Sequence, residues 1–360
     1  MAESFKKLSF AEDGKDKEND PMTVENVLKR LNLPTLLEGT NELNSKTVVD
    51  VDTRALRQKE CPLVIFGRPH VGEFVPTEIL SRMQEGGVKM SAMFDRGTQA
   101  IFKTEKVPSS GFKISRWVVD PNRAPDPNVK NAVPGHVLWK QPAIDKAGQL
   151  VLDASIYEQG QEPSDEEIRN LVERFYIPYY NSLMSLVGAV ADRRTTEKQR
   201  VLFLDGHSFP SIGRNFEAYY KSAYDLEDPG TLPLFILGDR SGTECDLDIR
   251  EGFGKAIERQ FAALSKEDQE FLTRNFRGEH LVGYNDPFKG VHNVMFFGER
   301  EKGVNALQLE LNESMYTTDT DDNWFQFNYE QRGLDLVRGI LERASLDVDV
   351  LLKAGEKIKN

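Results

Sequence analysis

Compact runs of apolar residues recur along the chain and predict buried strands. They cover residues 63–66, 201–204 and 232–237. Apolar runs without alternation are typical of strands that are covered on both faces, as in a mainly parallel sheet. Pro233 belongs at the start of its strand, because proline cannot donate a hydrogen bond inside a sheet.

Between these runs, apolar residues recur at helical spacing. The pattern predicts helices over residues 165–193, 249–264, 265–276 and 329–344, and a shorter amphipathic helix over residues 23–33. Ser265 is a good helix start, because its hydroxyl can cap the helix and acidic residues follow it. Pro178 predicts a kink or break in the first of these helices. Strands that alternate with helices indicate an α/β fold.

The chain of 360 residues is long enough for one large α/β domain or for two ordinary ones. We find no internal repeat and no change of composition that requires a second domain. Residues 1–20 are too polar to fold alone and are expected to form a flexible N-terminal arm. Residues 21–360 are therefore predicted to form a single domain with a core over about 45–355, and the proline-rich segment 121–142 is predicted to be an ordered loop.

Composition excludes several classes of protein. A formal charge of −12 argues against nucleic-acid binding, which draws mainly on lysine and arginine. No apolar run is long enough for a membrane span or a signal peptide, so we expect a cytoplasmic protein without a membrane partner. Cys61 and Cys245 are too few for a disulfide framework and are expected to be buried thiols. The oligomeric state is not fixed by the sequence.

Two of the five histidines follow directly after predicted strands, where ligands gather in open α/β sheets. His70 follows strand 63–66, with Glu73 three residues later, and imidazole and carboxylate groups are both good zinc donors. His207 follows strand 201–204, after Asp205 and Gly206. Gly206 would let the chain turn, and Asp205 would either orient an imidazole or cap a turn. For His70 the plain alternative is a hydrogen bond to the backbone.

Residues 304–312 alternate strictly between apolar and polar side chains, which predicts a strand. Glu310 lies on its polar face with Gln308 and Asn312. Such a row is typical of the wet side of an edge strand. In a covered sheet, however, a lone carboxylate needs a partner, and a metal-bound water would supply one.

Residues 115–123 are predicted to form a short strand that opens into the proline-rich loop. Arg123 has the planar fork that suits bidentate binding of a carboxylate, and Asn122 beside it offers a neutral donor. A solvated surface arginine is the plain alternative. Arg240 is a further candidate for substrate binding, because it follows strand 232–237.

Several blocks, taken together and in order, resemble the N-formylglutamate amidohydrolase family. They are PHVGEFVP (residues 69–76), SRWVVDPNR (115–123), DGHS (205–208), NDPFKG (285–290) and QLELNESMY (308–316). That family is similar in turn to zinc carboxypeptidases and aspartoacylase. The resemblance covers roughly residues 60–320. It implies a phosphorylase/hydrolase-like three-layer α/β fold with a mixed, mainly parallel sheet between helices.

The resemblance also implies roles for individual residues. His70, Glu73 and His207 would bind one divalent metal ion, most simply zinc, with Asp95 as the reserve for the third ligand. Glu310 would be the general base, and Arg116 would polarise the scissile carbonyl group. Substrate binding would fall to Asn122, Arg123, Arg240 and His292; the last stands where the family tends to have a glycine-rich continuation.

The sequence therefore predicts a metal-dependent amidohydrolase that cleaves the amide bond of a small, carboxylate-bearing N-acyl amino acid, such as N-formylglutamate. Water would be activated by the metal and Glu310, and Arg123 would hold the substrate carboxylate. Two alternatives stay open. The first is a zinc carboxypeptidase-like peptidase, since the same Asn-Arg pair suits the C-terminus of a peptide. The second is a non-catalytic binding protein with the same fold.

Overall fold

A seven-stranded mixed sheet forms the centre of the fold. The computed structural model of the chain describes residues 48–76, 79, 82, 95–125, 141–144, 150–154, 157–210, 220–221, 225–318 and 329–355. The strands in these ranges are β1 (Val49–Asp52), β2 (Val64–Arg68), β3 (Ser109–Phe112), β4 (Gln141–Ile144), β5 (Leu150–Ala154), β6 (Val201–Phe209), β7 (Phe235–Gly238), β8 (Val282–Tyr284) and β9 (Val304–Asn312). Strands β4 and β5 pair separately as a two-stranded antiparallel sheet.

The large sheet has the strand order β1-β3-β2-β6-β9-β7-β8. The four pairings β2 with β3, β2 with β6, β6 with β9 and β7 with β8 are parallel, whereas β1 with β3 and β7 with β9 are antiparallel. The two longest strands, β6 and β9, lie side by side in its middle and are buried along their whole length. The predicted mixed, mainly parallel sheet is thus confirmed.

Helices cover both faces of this sheet. They are α1 (Thr98–Ile101), α2 (Asp165–Leu171), α3 (Ile177–Ala191), α4 (Leu247–Ala262), α5 (Lys266–Thr273), α6 (His292–Phe297) and α7 (Gln331–Ala354). On one face, Phe203 of β6 packs against Phe297 of α6, with ring centroids 4.6 Å apart. On the other, Gly206 lies against the ring of Phe102, directly after α1, and α1 in turn contacts α7. Alternate residues of β6 therefore point to different helical layers.

Most predicted elements are present. The apolar runs 63–66 and 201–204 lie at the starts of β2 and β6, and β9 has the predicted bounds 304–312. Pro233 precedes β7. Ser265 caps α5, because its hydroxyl accepts a hydrogen bond of 3.1 Å from the backbone N–H of Asp268. The last helix, α7, runs to Ala354, well beyond the predicted end at residue 344.

Two predictions were wrong in detail. Residues 115–123 are turns and irregular structure rather than a strand. The strand of this region, β3, ends at Phe112, three residues before the predicted start. Gly206 does not make a turn, because β6 continues through it to Phe209; a Cβ atom there would lie 2.6 Å from the ring of Phe102. The predicted kink or break at Pro178 falls where the type of helix changes: the π-helical turn Val172–Tyr176 ends directly before α3, and Pro178 is the second residue of α3.

Some predictions lie outside the described residues, namely the arm 1–20, the helix 23–33 and most of the proline-rich loop 121–142. The single domain stays a prediction, although one connected hydrophobic core includes buried side chains from Val48 to Leu352. Both cysteines are free and buried. None of the described helices combines the length and the apolar composition that a bilayer-spanning helix requires.

A candidate metal centre on the central strands

The register of the two central strands places His207 beside Glu310. In the parallel pair of β6 and β9, His207 is aligned with Glu310, and Asp205 is aligned with Gln308. Residues two apart in a strand point to the same face, and aligned residues of neighbouring strands do so too. Four polar side chains therefore share one face of the sheet, the face that α6 covers. All four are buried.

Two further buried residues, His70 and Asp95, join His207 to form the candidate metal group. One ligand atom from each of the three residues lies within 4.8 Å of the others. The two imidazole rings have centroids 4.8 Å apart. Both rings turn Nδ1 toward the same oxygen, Oδ2 of Asp95, at 3.2 Å from His70 and 2.7 Å from His207.

The opposite nitrogen of each ring contacts a carboxylate of its own. His70 Nε2 lies 2.9 Å from Asp120 Oδ1, and His207 Nε2 lies 2.8 Å from Asp205 Oδ2. Each imidazole therefore has a carboxylate oxygen at both of its nitrogens. With an ion held by Nδ1, the proton of each ring would be on Nε2, which would donate it to the second carboxylate. This pairing of histidine with carboxylate is typical of metal-binding histidines.

The arrangement of His70, His207 and Asp95 favours a positive charge between them. Two imidazole nitrogens and a carboxylate oxygen converge there, and a proton on the rings or a cation between them makes this arrangement favourable. Burial opposes protonation of His207, but Asp205 and Asp95 raise its pKa well above the ordinary value. Burial would raise the pKa of Asp95, but the charges of His70 and His207 lower it below the ordinary value. The donor set of two nitrogens and one oxygen suits a zinc-type ion.

Glu310 lies next to this group as a buried carboxyl. Burial raises its pKa to about 8; the positive charge of His207 works against this shift, and the negative charge of Asp95 adds to it. Gln308 donates a hydrogen bond of 2.6 Å to Glu310 Oε1. A carboxyl group whose charge depends on a nearby cation is suited to accept and release a proton.

Arginines line the side of the group that the 113–123 segment forms. Arg116 donates a hydrogen bond of 2.8 Å to Asp120 Oδ2 and lies 3.7 Å from Asp95 Oδ1. Arg123 is half-buried and donates to the backbone oxygen of Asn122 at 3.0 Å. Although burial opposes it, Arg116 and His70 hold the pKa of Asp120 well below its usual range. This segment therefore brings positive charge to the edge of the candidate metal group.

A family model described as N-formylglutamate amidohydrolase matches residues 62–317, and that range includes every residue of the candidate centre. The chain belongs to the N-formylglutamate amidohydrolase family. The resemblance inferred from the sequence blocks is thus confirmed.

Two relatives carry the name N-formylglutamate deformylase. The protein of Pseudomonas putida is 27% identical over 209 residues, which are 58% of this chain and 64% of the relative, and so less than two thirds of its length. The protein of Pseudomonas aeruginosa is 25% identical over 230 residues, 63% of this chain and 71% of the relative. The crystal structure of N-formylglutamate amidohydrolase from Ralstonia eutropha JMP134 shares the fold. Its TM-score is 0.58 at 21% identity, over 86% of this chain and 100% of that one.

Within the family fold, the structure separates the two candidates for the third ligand. Glu73 is exposed and lies outside the candidate metal group, whereas the reserve, Asp95, lies inside it. The reason is local. Phe74 forms a parallel bridge with Ile114, and its backbone N–H donates to Lys113 O, which fixes the backbone next to Glu73 while the Glu73 side chain lies at the surface.

The residues predicted for substrate binding differ in solvent exposure and in whether their polar atoms already have hydrogen-bond partners. Both polar ends of the buried Asn122 side chain face protein groups, with Oδ1 accepting from the backbone of Asn293 at 3.0 Å and Nδ2 lying 3.2 Å from His207 Nε2. His292 is buried, and Nδ1 has no hydrogen-bond partner within the described structure. Arg240 is partly exposed, in a left-handed backbone conformation with φ of 54° directly after β7.

Sequence reasoning overlooked several buried polar residues of the centre. Asp120 bonds His70, and its Oδ1 also accepts from the backbone N–H of Asn122 at 2.8 Å, as aspartate does in turns. The Asp-Pro pair at 120–121 was the available signal for that turn. Asn293 and Glu313 carry no such signal, since their partners are more than 80 residues away in the chain.

Proposed function

We propose that this chain is a metal-dependent amidohydrolase that removes the acyl group from an N-acyl amino acid of the N-formylglutamate type. The observation that supports this proposal is that His70 Nδ1, His207 Nδ1 and Asp95 Oδ2 lie close together. Glu310 is aligned with His207 on the next strand. This arrangement combines a donor set for a divalent ion with a buried carboxyl group that can transfer a proton.

His70, Asp95 and His207 would hold the metal ion, with Asp120 and Asp205 orienting the two imidazoles. When bound, a zinc-type ion acidifies a water molecule to near-neutral pKa and polarises a carbonyl oxygen. Asp95 replaces Glu73 as the proposed third ligand, because Glu73 is exposed.

Glu310 would be the general base. Its carboxylate would take a proton from the attacking water and deliver it to the nitrogen of the leaving amine, so that a neutral amine departs rather than a strongly basic anion. Burial raises the pKa of Glu310 to about 8 in the absence of an ion. A nearby cation favours the charged form of a carboxyl group, and so prepares Glu310 to accept that proton.

Arg116 and Arg123 would act on opposite ends of the substrate. Arg116 lies beside Asp95 and Asp120, where its guanidinium would stabilise the negative charge that develops on the carbonyl oxygen. Arg123 would bind the substrate carboxylate, and this contact would orient the amide bond for attack. Arg240 and His292 are the proposed further contacts to the substrate, and Asn122 is assigned to holding the Arg123 segment in place.

The substrate class rests on the relatives, two of which are named N-formylglutamate deformylases. The test is to incubate the full chain, loaded with zinc, with N-formylglutamate, N-acetylglutamate and short peptides that end in glutamate. We expect release of formate from the first. Release of C-terminal residues from the peptides would instead favour the peptidase, and bound metal without any hydrolysis would favour the binding protein.

The matched control for this assay is His207→Ala, which removes one proposed ligand and the aligned neighbour of Glu310 at once. Elemental analysis of the parent should find about one zinc ion per chain. The variant should lose both the metal and the formate release. Formate release that persists in the variant at the parental rate would contradict the proposed centre.

A further inference from the structure

Asn293 is a fully buried residue of α6 that the chemistry proposed above does not use. It contacts three separate parts of the chain. Its side-chain Nδ2 donates to Asp205 Oδ1 at 2.9 Å, and its backbone N–H donates to Asn122 Oδ1 at 3.0 Å. Its side-chain Oδ1 accepts a hydrogen bond from the hydroxyl of Tyr180 in α3. One residue thus connects β6, α3 and the segment that ends at Arg123.

The contact with Asp205 leads to the candidate metal group. Asp205 uses its other oxygen, Oδ2, to accept from His207 Nε2 at 2.8 Å. The carboxylate is fully buried, so a change in its orientation would turn the imidazole that it bonds. His207 Nδ1 lies 2.7 Å from Asp95 Oδ2, and this distance depends on the angle of the ring. The Asn293 amide therefore holds the Asp205 carboxylate, and that carboxylate orients the proposed ligand His207.

The other contacts lead to the proposed substrate arginine. The hydroxyl of Tyr180 lies within hydrogen-bond distance of Pro121 O, at 2.9 Å, as well as of Asn293. Asn122 is held by the backbone of Asn293. The next carbonyl, of Arg123, accepts from the hydroxyl of Tyr176 at 2.9 Å. Three successive residues are thus anchored to α6 and to the helical segment 172–191, and Arg123 is the last of them.

We propose that Asn293 is a positioning residue that holds both the Asp205–His207 pair and the segment carrying Arg123 in place. Its loss should therefore weaken metal binding and substrate binding together. This inference rests on the proposed function. An ordinary buried asparagine would instead contribute to folding alone. The two roles differ in what they predict for metal affinity, since a residue that only stabilises the fold leaves the affinity of the folded protein unchanged.

The test compares Asn293→Ala with Asn305→Ala in the full chain. Asn305 is the matched control, because it is also fully buried, lies on β9, and accepts a hydrogen bond of 2.7 Å from the backbone of Asp246. Three quantities are measured: the zinc dissociation constant by competition with a chromogenic chelator, the KM and kcat for N-formylglutamate at saturating zinc, and the denaturant midpoint of unfolding.

In Asn293→Ala we expect the zinc dissociation constant to rise about tenfold, the lower end of what loss of an outer-shell partner costs. The KM should rise by a larger factor than kcat falls, because the residue braces the loop of Arg123 and touches no reacting atom. Asn305→Ala should lower only the unfolding midpoint. Equal zinc affinity and equal KM in the two variants would overturn the inference.

Tyr180→Phe is the second variant, to be used if Asn293→Ala fails to fold. It removes one hydroxyl and keeps the ring stacked on Tyr176. It should raise the KM and weaken zinc binding by a smaller factor than Asn293→Ala; parental values for both would overturn the inference. A parent chain that binds no zinc and releases no formate would contradict the proposed function instead. The failure of one proposal is therefore distinguishable from the failure of the other.

Discussion

His207 and Glu310 are aligned neighbours on the two central strands, β6 and β9, and both are buried. The alignment keeps the carboxyl group of one beside the imidazole of the other in a rigid part of the sheet. Side chains on strands are held more precisely than side chains on loops. The position of Glu310 relative to the candidate metal group is consequently set by backbone hydrogen bonds of the sheet rather than by a flexible segment.

Glu310→Gln should lower kcat by about 10²–10⁴-fold, the usual contribution of a positioned acid-base group. Glutamine has almost the same shape but cannot take a proton from water. The zinc content, measured by elemental analysis, should equal that of the parent, because Glu310 is not one of the proposed ligands. A variant as active as the parent would remove the general-base assignment.

Asp95→Ala should abolish stable zinc binding, whereas Glu73→Ala should leave it unchanged. The first change removes a buried oxygen that both imidazoles face, and the second removes an exposed carboxylate outside the group. Both variants are dialysed against the same limiting zinc concentration and analysed for bound metal. The opposite ranking of the two variants would return the third ligand to Glu73.

The residues of the candidate centre that could be predicted from the sequence are those marked by a pattern in neighbouring residues. His70 and His207 each follow an apolar strand, and Glu310 belongs to a strictly alternating strand, so all three could be found from short windows of sequence. The choice between Glu73 and Asp95 could not, because it depends on how the chain after β2 bridges to Ile114. The strand β3 was also missed, since its residues Ser109–Phe112 are mostly small and polar and become buried only through neighbours far away in the chain.

Arg123→Ala should raise the KM for N-formylglutamate by about 10- to 100-fold, because hydrogen bonds to charged groups contribute about 1.5–3 kcal/mol. Arg123→Lys should restore only part of the loss, since lysine keeps the charge but not the planar fork. The kcat should change less than the KM in both variants. The check is steady-state kinetics at saturating zinc, and an unchanged KM in Arg123→Ala would exclude this residue from substrate binding.

Glu313→Ala should destabilise the fold by about 1–3 kcal/mol, the usual cost of removing the acceptor of a buried hydrogen bond. The carboxylate accepts from the Ser208 hydroxyl at 2.9 Å and lies 3.4 Å from the buried guanidinium of Arg96. The control is Glu105→Ala, whose exposed ion pair with Arg54 should contribute about 0–1 kcal/mol. Urea unfolding of both variants gives the comparison, and similar midpoints would contradict a stabilising role for Glu313.

His292 should make the stability of the protein sensitive to acid. Burial, together with the charge of Arg123, lowers its pKa from 6.5 to about 4. Between these two values the unfolded chain binds a proton that the folded chain does not, so the stabilising contribution is complete above pH 6.5 and is lost as the pH falls toward 4. The loss is about 1.4 kcal/mol for each pH unit inside this window. Urea unfolding of the parent and of His292→Gln at several pH values measures it. The free energy of unfolding of the variant should fall less steeply than that of the parent between pH 6.5 and pH 4, and equal slopes would show that His292 is protonated alike in the folded and unfolded chains.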